Sequence, residues 1–146
     1  MIYSHVNQSQ LKGGQRLPKK ILEEVLEIAS EHIKHRKKEI WVSIAFVSKR
    51  EIRKLNKLYR SKDAVTDVLA FELEGEEVKG EIIISYEQAR MQAKQMGHPT
   101  RSELVFLIVH GLLHVFGHDH EKQSDAAKMF ALQMKILQDL GVNPQI

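Results

Sequence analysis

The sequence predicts an α+β fold: a single domain spanning residues 1–146, with a mixed, mostly antiparallel sheet packed by about five helices. Three observations predict it. Runs rich in β-branched and aromatic residues are interleaved with amphipathic helical stretches, but without the strict strand–helix–strand rhythm of a parallel α/β protein. Two of those runs, 66–73 and 78–84, are separated only by Glu74-Gly75-Glu76-Glu77 and read as an antiparallel hairpin. One helix, opening near Thr100, is apolar almost all round, which marks it as central and buried. No repeat and no Pro/Gly/Ser-rich linker divides the chain, and 146 residues are enough for one real core.

The elements follow in order. Ile2 to Val6 is a short strand, and Gly13-Gly14 is a break. Pro18 suits the first turn of a helix running to about Arg36, with Ile21, Leu22, Val25, Ile28, Ala29 and Ile33 at helical spacing. Lys34, Arg36, Lys37 and Lys38 crowd its end, where cations complement the helix dipole. Ile40 to Val47 has the composition of a buried strand. Ser48, with Glu51 three residues on, is a capping-box signature for a second helix. Its apolar side is expected to be Ile52, Leu55 and Leu58 or Tyr59. Ser85 and Gln88 cap a third helix ending near Gly97, Thr100 and Glu103 cap the fourth, and Ser124 opens a fifth ending near Leu140 and Gly141.

Composition narrows the classes. Hydrophobic residues make up 42% and charged residues 28%, as in ordinary soluble globular proteins. No apolar run approaches the roughly 18 residues of a membrane span, so no membrane partner is expected. The first residues lack the basic-then-apolar layout of a signal peptide. There is no cysteine, hence neither disulfide nor thiolate ligand, which fits a cytoplasmic protein. Any metal must be held by His, Asp or Glu. The net charge of +3 says little, but its distribution says more. Lys49 to Lys62 contains seven Lys or Arg against one acidic residue, Glu51.

Chemistry concentrates in Val109-His110-Gly111-Leu112-Leu113-His114-Val115-Phe116-Gly117-His118-Asp119-His120, which holds four of the eight histidines. His110 and His114 sit one helical turn apart on one face of the apolar helix. Gly117 can leave that helix in a left-handed conformation and swing His120 back toward them. Burying two imidazoles demands partners for four ring nitrogens, and a metal satisfies one on each ring. Three neutral imidazoles on one ion, with the fourth position open, make a catalytic type of zinc site, carried by the central buried helix. The expected ligands are His110, His114 and His120, and the expected cofactor is one Zn²⁺ per chain. His118 reads either as an alternative ligand or as a solvated loop residue. Asp119 either accepts an N–H from His120 or its loop, or simply makes a turn.

The spacing His-x3-His-x2-Gly-x2-His is that of the metzincin proteases. Those enzymes carry their general-base glutamate directly after the first histidine. Here that position is Gly111, which cannot move a proton, so a metallopeptidase would need a base from elsewhere. On the second helix Arg50, Arg53, Lys57 and Arg60 recur on one side. On its own terms such a basic side reads as a solvated face. Arg60, at the helix end, can either fork onto a phosphate or complement the dipole.

These stretches together resemble the YbeY endoribonucleases, a family of bacterial rRNA-maturation proteins. His110-Gly111-x-Leu113-His114-x-x-Gly117-x-Asp119-His120 matches that family's signature. Leu55-Asn56-x-x-Tyr59-Arg60-x-Lys62-Asp63-x-x-Thr66-Asp67-Val68-Leu69-x-Phe71 resembles its second block, and Gly80 to Ser85 its Gly-Asp-Ile-x-Ile-Ser strand. Ala70, Glu72, Glu81 and His118 depart from the residues common in the family. The resemblance implies a zinc-dependent, single-strand-specific endoribonuclease in the bacterial cytoplasm. It implies action in 16S rRNA 3′-end maturation and ribosome quality control, with the small ribosomal subunit and its assembly factors as partners and no DNA substrate. It also implies that the three histidines bind the metal, with Arg60 functional, so that Arg60 and His114 become the catalytic candidates and Arg50, Arg53, Lys57 and Arg60 the residues expected to guide the RNA. The rival expectations are a non-catalytic, zinc-stabilised RNA- or ribosome-binding module and the peptidase.

Overall fold

A computed structural model describes residues 1–75 and 77–143. The strands are β1 (Ile2–Asn7), β2 (Ile40–Val47), β3 (Val68–Glu72) and β4 (Gly80–Ser85). The helices are α1 (Lys19–His32), α2 (Lys49–Arg60), α3 (Tyr86–Met96), α4 (Thr100–Val115) and α5 (Gln123–Asp139). They form the expected single α+β unit with five helices. No described helix is long and apolar enough to cross a membrane. The β3–β4 turn includes Glu76, which lies outside the described residues.

The sheet order is β1-β2-β4-β3. The hairpin is as expected, β3 antiparallel to β4 with Leu69 opposite Ile83. The expectation of a mostly antiparallel sheet is corrected: β1 with β2 and β2 with β4 are parallel. The physical reason is the connections. α1 carries the chain back to the starting edge before β2, as a parallel pair requires. The segment from α2 through β3 does the same before β4.

Strand alternation gives the sheet two unlike faces. In β2 the residues Ile40, Val42, Ile44 and Phe46 are buried, while Trp41, Ser43, Ala45 and Val47 are only partly so. On the buried face Val42, Ile44, Phe46, Ile82 and Ile84 share one core with α1, α4 and α5. α4 is the centre of this core: ten of its sixteen residues are buried. Gly111 allows the closest approach. A Cβ there would lie 2.8 Å from the Ile82 side chain. The opposite face carries a small cluster, Ile52, Leu69 and Ile83, under α2.

α2 corrects a second expectation. Leu58 and Tyr59 are 71% and 60% exposed, and the buried residues are Ile52 and Asn56. A helix resting on a sheet by a narrow stripe leaves its last turn outside. α1 stops at His32 because Ile33 is already extended, so the basic run 34–38 is a loop and not a helix end. At α4 the N-cap is Pro99 with no side-chain cap. Glu103 is instead drawn inward, bonded to His98 (2.8 Å) and Gln92 (3.2 Å).

Candidate metal centre

α4 projects His110 and His114 from the side that faces β3, on the stripe that begins with Phe106. The Phe106 and His110 rings stack with centroids 6.0 Å apart. The adjoining Gly111 packs against Ile82 of β4, which seats this turn of the helix on the sheet. The two Nε2 atoms are 3.2 Å apart. The helix then ends as its glycine predicts. Gly117 has φ +90°, its N–H bonds the His114 carbonyl, and the His118 N–H bonds the Leu113 carbonyl. That pair of bonds is a Schellman motif, which satisfies two orphan carbonyls and reverses the chain. The reversal returns His120 to the site, with ring centroids 5.2 Å from His114 and 5.9 Å from His110. Asp119 holds the returning loop. One carboxylate oxygen accepts the backbone N–H of His120 (2.6 Å) and of Glu121 (3.1 Å). It works on the loop backbone and not on the His120 ring.

The donor set fits a divalent ion that favours imidazole. One nitrogen from each of His110, His114 and His120 lies within 4.8 Å of the others. A tetrahedral ion with bonds of 2.0–2.1 Å needs ligand nitrogens about 3.3 Å apart. The His110–His114 pair already has that separation; His120 has a little way to close. His110 is fixed from behind: its Nδ1–H donates to Gln133 Oε1 on α5 at 2.9 Å, which leaves the Nε2 lone pair facing the site. Such a partner holds a ligating histidine in one tautomer and one orientation. Burial, followed by the neighbouring charges of His110 and His120, pushes the His114 pKa down to about 4. Burial likewise lowers His110, against an opposing pull from Gln133. Both rings are therefore neutral near pH 7, the form that binds metal.

The histidines lie in a cavity of about 500 Å³ shared with Arg60, Lys62, Asn56, Thr66 and Asp67. Arg60 is docked on the strand that borders the cavity. Its Nη2 donates to the Ala70 carbonyl at 3.1 Å, and its guanidinium lies 5.6 Å from the Phe71 ring centre. The end of α2 is shaped by Ser61, left-handed at φ 57°, and by Asn56, whose side chain donates to the Ala64 carbonyl at 2.9 Å. The other basic residues of α2 are not brought in. Arg50, Arg53 and Lys57 are exposed and do not line the cavity, and Arg53 is paired to Asp63 at 2.8 Å. His118 lines the cavity without joining the three clustered rings.

Sequence reasoning missed Gln133, which lies 23 positions from His110 on another helix. It also missed Asp67 as a cavity residue. Asp67 accepts the Val68 N–H at 2.8 Å and a Gln92 side-chain N–H at 3.0 Å, and the same Gln92 nitrogen reaches the buried Glu103. This knot ties the start of β3 to α3 and α4 behind the cavity. The motif signal around Asp67 was visible; its structural role was not.

The family model described as Endoribonuclease YbeY matches residues 4–141. Among curated relatives, an endoribonuclease YbeY of Macrococcus caseolyticus is 45% identical over 115 residues, covering 72% of this chain and 75% of the relative. One from Bacillus pumilus is 41% identical over 136 residues, covering 84% and 85%. Among solved structures, the solution structure of TM1509 from Thermotoga maritima aligns over 96% of this chain and 89% of its own. Its TM-score is 0.66 and its identity 30%.

Proposed function

From the premise that the chain belongs to the endoribonuclease YbeY family, we propose that it is a zinc-dependent endoribonuclease specific for single strands. Its role would be to mature the 3′ end of small-subunit rRNA and to act in ribosome quality control. Its partners would be single-stranded RNA, the small ribosomal subunit and its assembly factors, in the cytoplasm. The observation that carries the reading is the convergence of three imidazoles with Arg60 and Lys62 around one cavity. That set combines metal ligands with phosphate-seeking cations. It lacks the neighbouring glutamate a peptidase of this spacing uses, and Gly111 has no room for one.

His110, His114 and His120 would hold the ion. When bound, zinc supplies Lewis-acid polarisation of the phosphate and activation of the attacking oxygen. The chain's own residues do the rest. Gln133 keeps the His110 Nε2 lone pair aimed at the cavity. Low pKa values keep His110 and His114 unprotonated, so no proton has to leave before the ligands engage. Arg60 offers a planar fork to the scissile phosphate, and its bond to Ala70 restricts its rotamers before substrate arrives. Lys62 adds a point charge beside it.

The test measures metal content of the purified protein and cleavage of single-stranded against duplex RNA, with and without chelator. Cleavage of the single strand that chelator abolishes is expected. Arg60→Glu should slow cleavage about a hundred-fold or more, as loss of a preorganised charge does, with little change in melting temperature. RNA binding without any cleavage would replace this reading with that of a zinc-stabilised binding module. Peptide cleavage lost in His114→Ala would replace it with a peptidase.

A further inference from the structure

The sheet face opposite α4 is only partly covered. α2 shields one end of it, and the other end presents Tyr3, His5 and Trp41. Strand register puts them side by side: Tyr3 is opposite Trp41, and His5 opposite the next outward residue, Ser43. The three rings form one stack, with Tyr3 5.2 Å and His5 4.4 Å from the Trp41 ring and interplanar angles of 26° and 19°. The indole is fixed in place, since its N–H donates to Glu39 at 2.7 Å. Tyr3 is 39% exposed. Trp41 and His5 open into a cavity of about 880 Å³, larger than the histidine cavity, and Lys34, Arg36 and Lys37 line the same space. Among the described residues none of those three cations is in an ion pair.

A fixed aromatic face beside unpaired cations is what a flexible, unpaired nucleic-acid strand needs: π-faces for its bases and charge for its phosphates. The cavity also holds three carboxylates: Glu39 accepts the indole N–H, and Glu74 and Glu77 belong to the β3–β4 connection, a different segment from the 34–37 loop. The two cavities meet consecutive residues at the end of α4. Phe116 lines this cavity, under Lys79 at 6.0 Å, and its neighbour Gly117 lines the other. A strand leaving the imidazoles needs only to cross the turn that ends α4.

We propose that this face is a second RNA subsite, in which a base of the single-stranded substrate stacks on the Trp41 platform while Lys34, Arg36 and Lys37 hold its phosphates. The proposal rests on the endoribonuclease reading for the identity of the strand. It gives the basic loop after α1 a task that dipole complementation does not, since that loop lies outside the helix.

Trp41 is the only tryptophan in the sequence, so tryptophan emission, excited selectively over the three tyrosines, reports on this site alone. The experiment titrates a short single-stranded oligoadenylate RNA into the full chain. It follows tryptophan emission, and in parallel the anisotropy of the same RNA carrying a terminal dye. Quenching with the same midpoint as the anisotropy is expected. Reversing Lys34, Arg36 and Lys37 to Glu should weaken binding about ten-fold or more, and Trp41→Ala about ten-fold, with Trp41→Phe close to wild type. The triple reversal lies on an exposed loop, so it remains informative if Trp41→Ala does not fold. Anisotropy without quenching, no binding at all, or unchanged affinity in the triple reversal each overturns the proposal. So does quenching by polyglutamate equal to that by RNA, which would mark an acidic protein as the partner. Quenching in a protein that never cleaves RNA would sink the catalytic reading and leave the subsite. Cleavage without quenching would sink the subsite alone.

Discussion

His110 and His114 stand on a helix buried along most of its length; His120 and Arg60 stand on a loop and a helix end. The first pair is positioned by packing. Leu112 and Leu113 are fully buried between them, and Gly111 lets the helix settle against Ile82. The second pair is positioned by hydrogen bonds at the surface: the Schellman turn and Asp119 for His120, and the Ala70 carbonyl for Arg60. The difference divides the work of the site. The packed half sets where an ion can bind, and the hydrogen-bonded half can adjust by the small distance that ion and substrate require. Half of the site should therefore be costly to rebuild, and half cheap to move.

Removing a ligand from either half gives the largest effect on activity. His114→Ala and His120→Ala are both expected to cut RNA cleavage on the order of a thousand-fold, since the metal supplies several kcal/mol of transition-state stabilisation. The halves should separate in the metal-free protein. There, thermal unfolding should be unchanged by His120→Ala, because that residue is exposed, and altered by His114→Ala. Equal shifts for the two would erase the distinction between packed and hydrogen-bonded ligands.

Gln133 tests the packed half one layer further out. Gln133→Leu keeps the apolar fit of α5 but removes the acceptor for His110 Nδ1–H. Losses of this kind typically cost 10–100-fold in metal affinity. Competition of the variant against a chromogenic zinc chelator measures it. Unchanged affinity would mean that helix packing alone orients His110. A smaller effect, on stability only, is expected from Gly111→Ala. The added carbon must push Ile82 aside, and overpacking of that kind costs about 1–3 kcal/mol. A drop in melting temperature of roughly 3–9 °C should accompany it. A variant as stable as wild type would show that α4 can lift from the sheet without penalty.

What could be read from the chain divides along the same line. The histidine cluster was legible because helical spacing and a helix-ending glycine are local signals, and Gly117 does adopt the left-handed conformation they require. The β3–β4 hairpin was legible for the same reason. The two parallel pairings were not, because β1 meets β2 and β2 meets β4 only across intervening elements, and no short-range pattern encodes that. Gly111 was legible as a lost base but not as a packing contact, since its neighbour Ile82 lies on another element. On α2 Leu58 or Tyr59 was expected inward beside Ile52, yet both are exposed and the position buried with Ile52 is Asn56. Periodicity indicates that a helix has two sides. It does not say how wide a stripe the sheet will cover, or that an amide will be buried to hold the Ala64 carbonyl of the next loop.

The smallest effect is a pH dependence, and it again belongs to the packed half. In the unfolded chain His110 and His114 take up a proton near the ordinary imidazole value of about 6.5. In the folded, metal-free chain burial holds His114 at about 4 and His110 below its ordinary value. Between those limits the unfolded state binds more protons than the folded one, so stability falls as pH falls. The stabilisation is fully present above about pH 6.5 and is lost progressively as pH approaches about 4. Urea unfolding of chelator-treated protein should therefore show a midpoint lower at about pH 5 than at about pH 7.5. In His114→Leu, which cannot take up the proton, the drop should be visibly shallower. An identical slope in wild type and His114→Leu would mean that burial does not hold the His114 imidazole below its ordinary value.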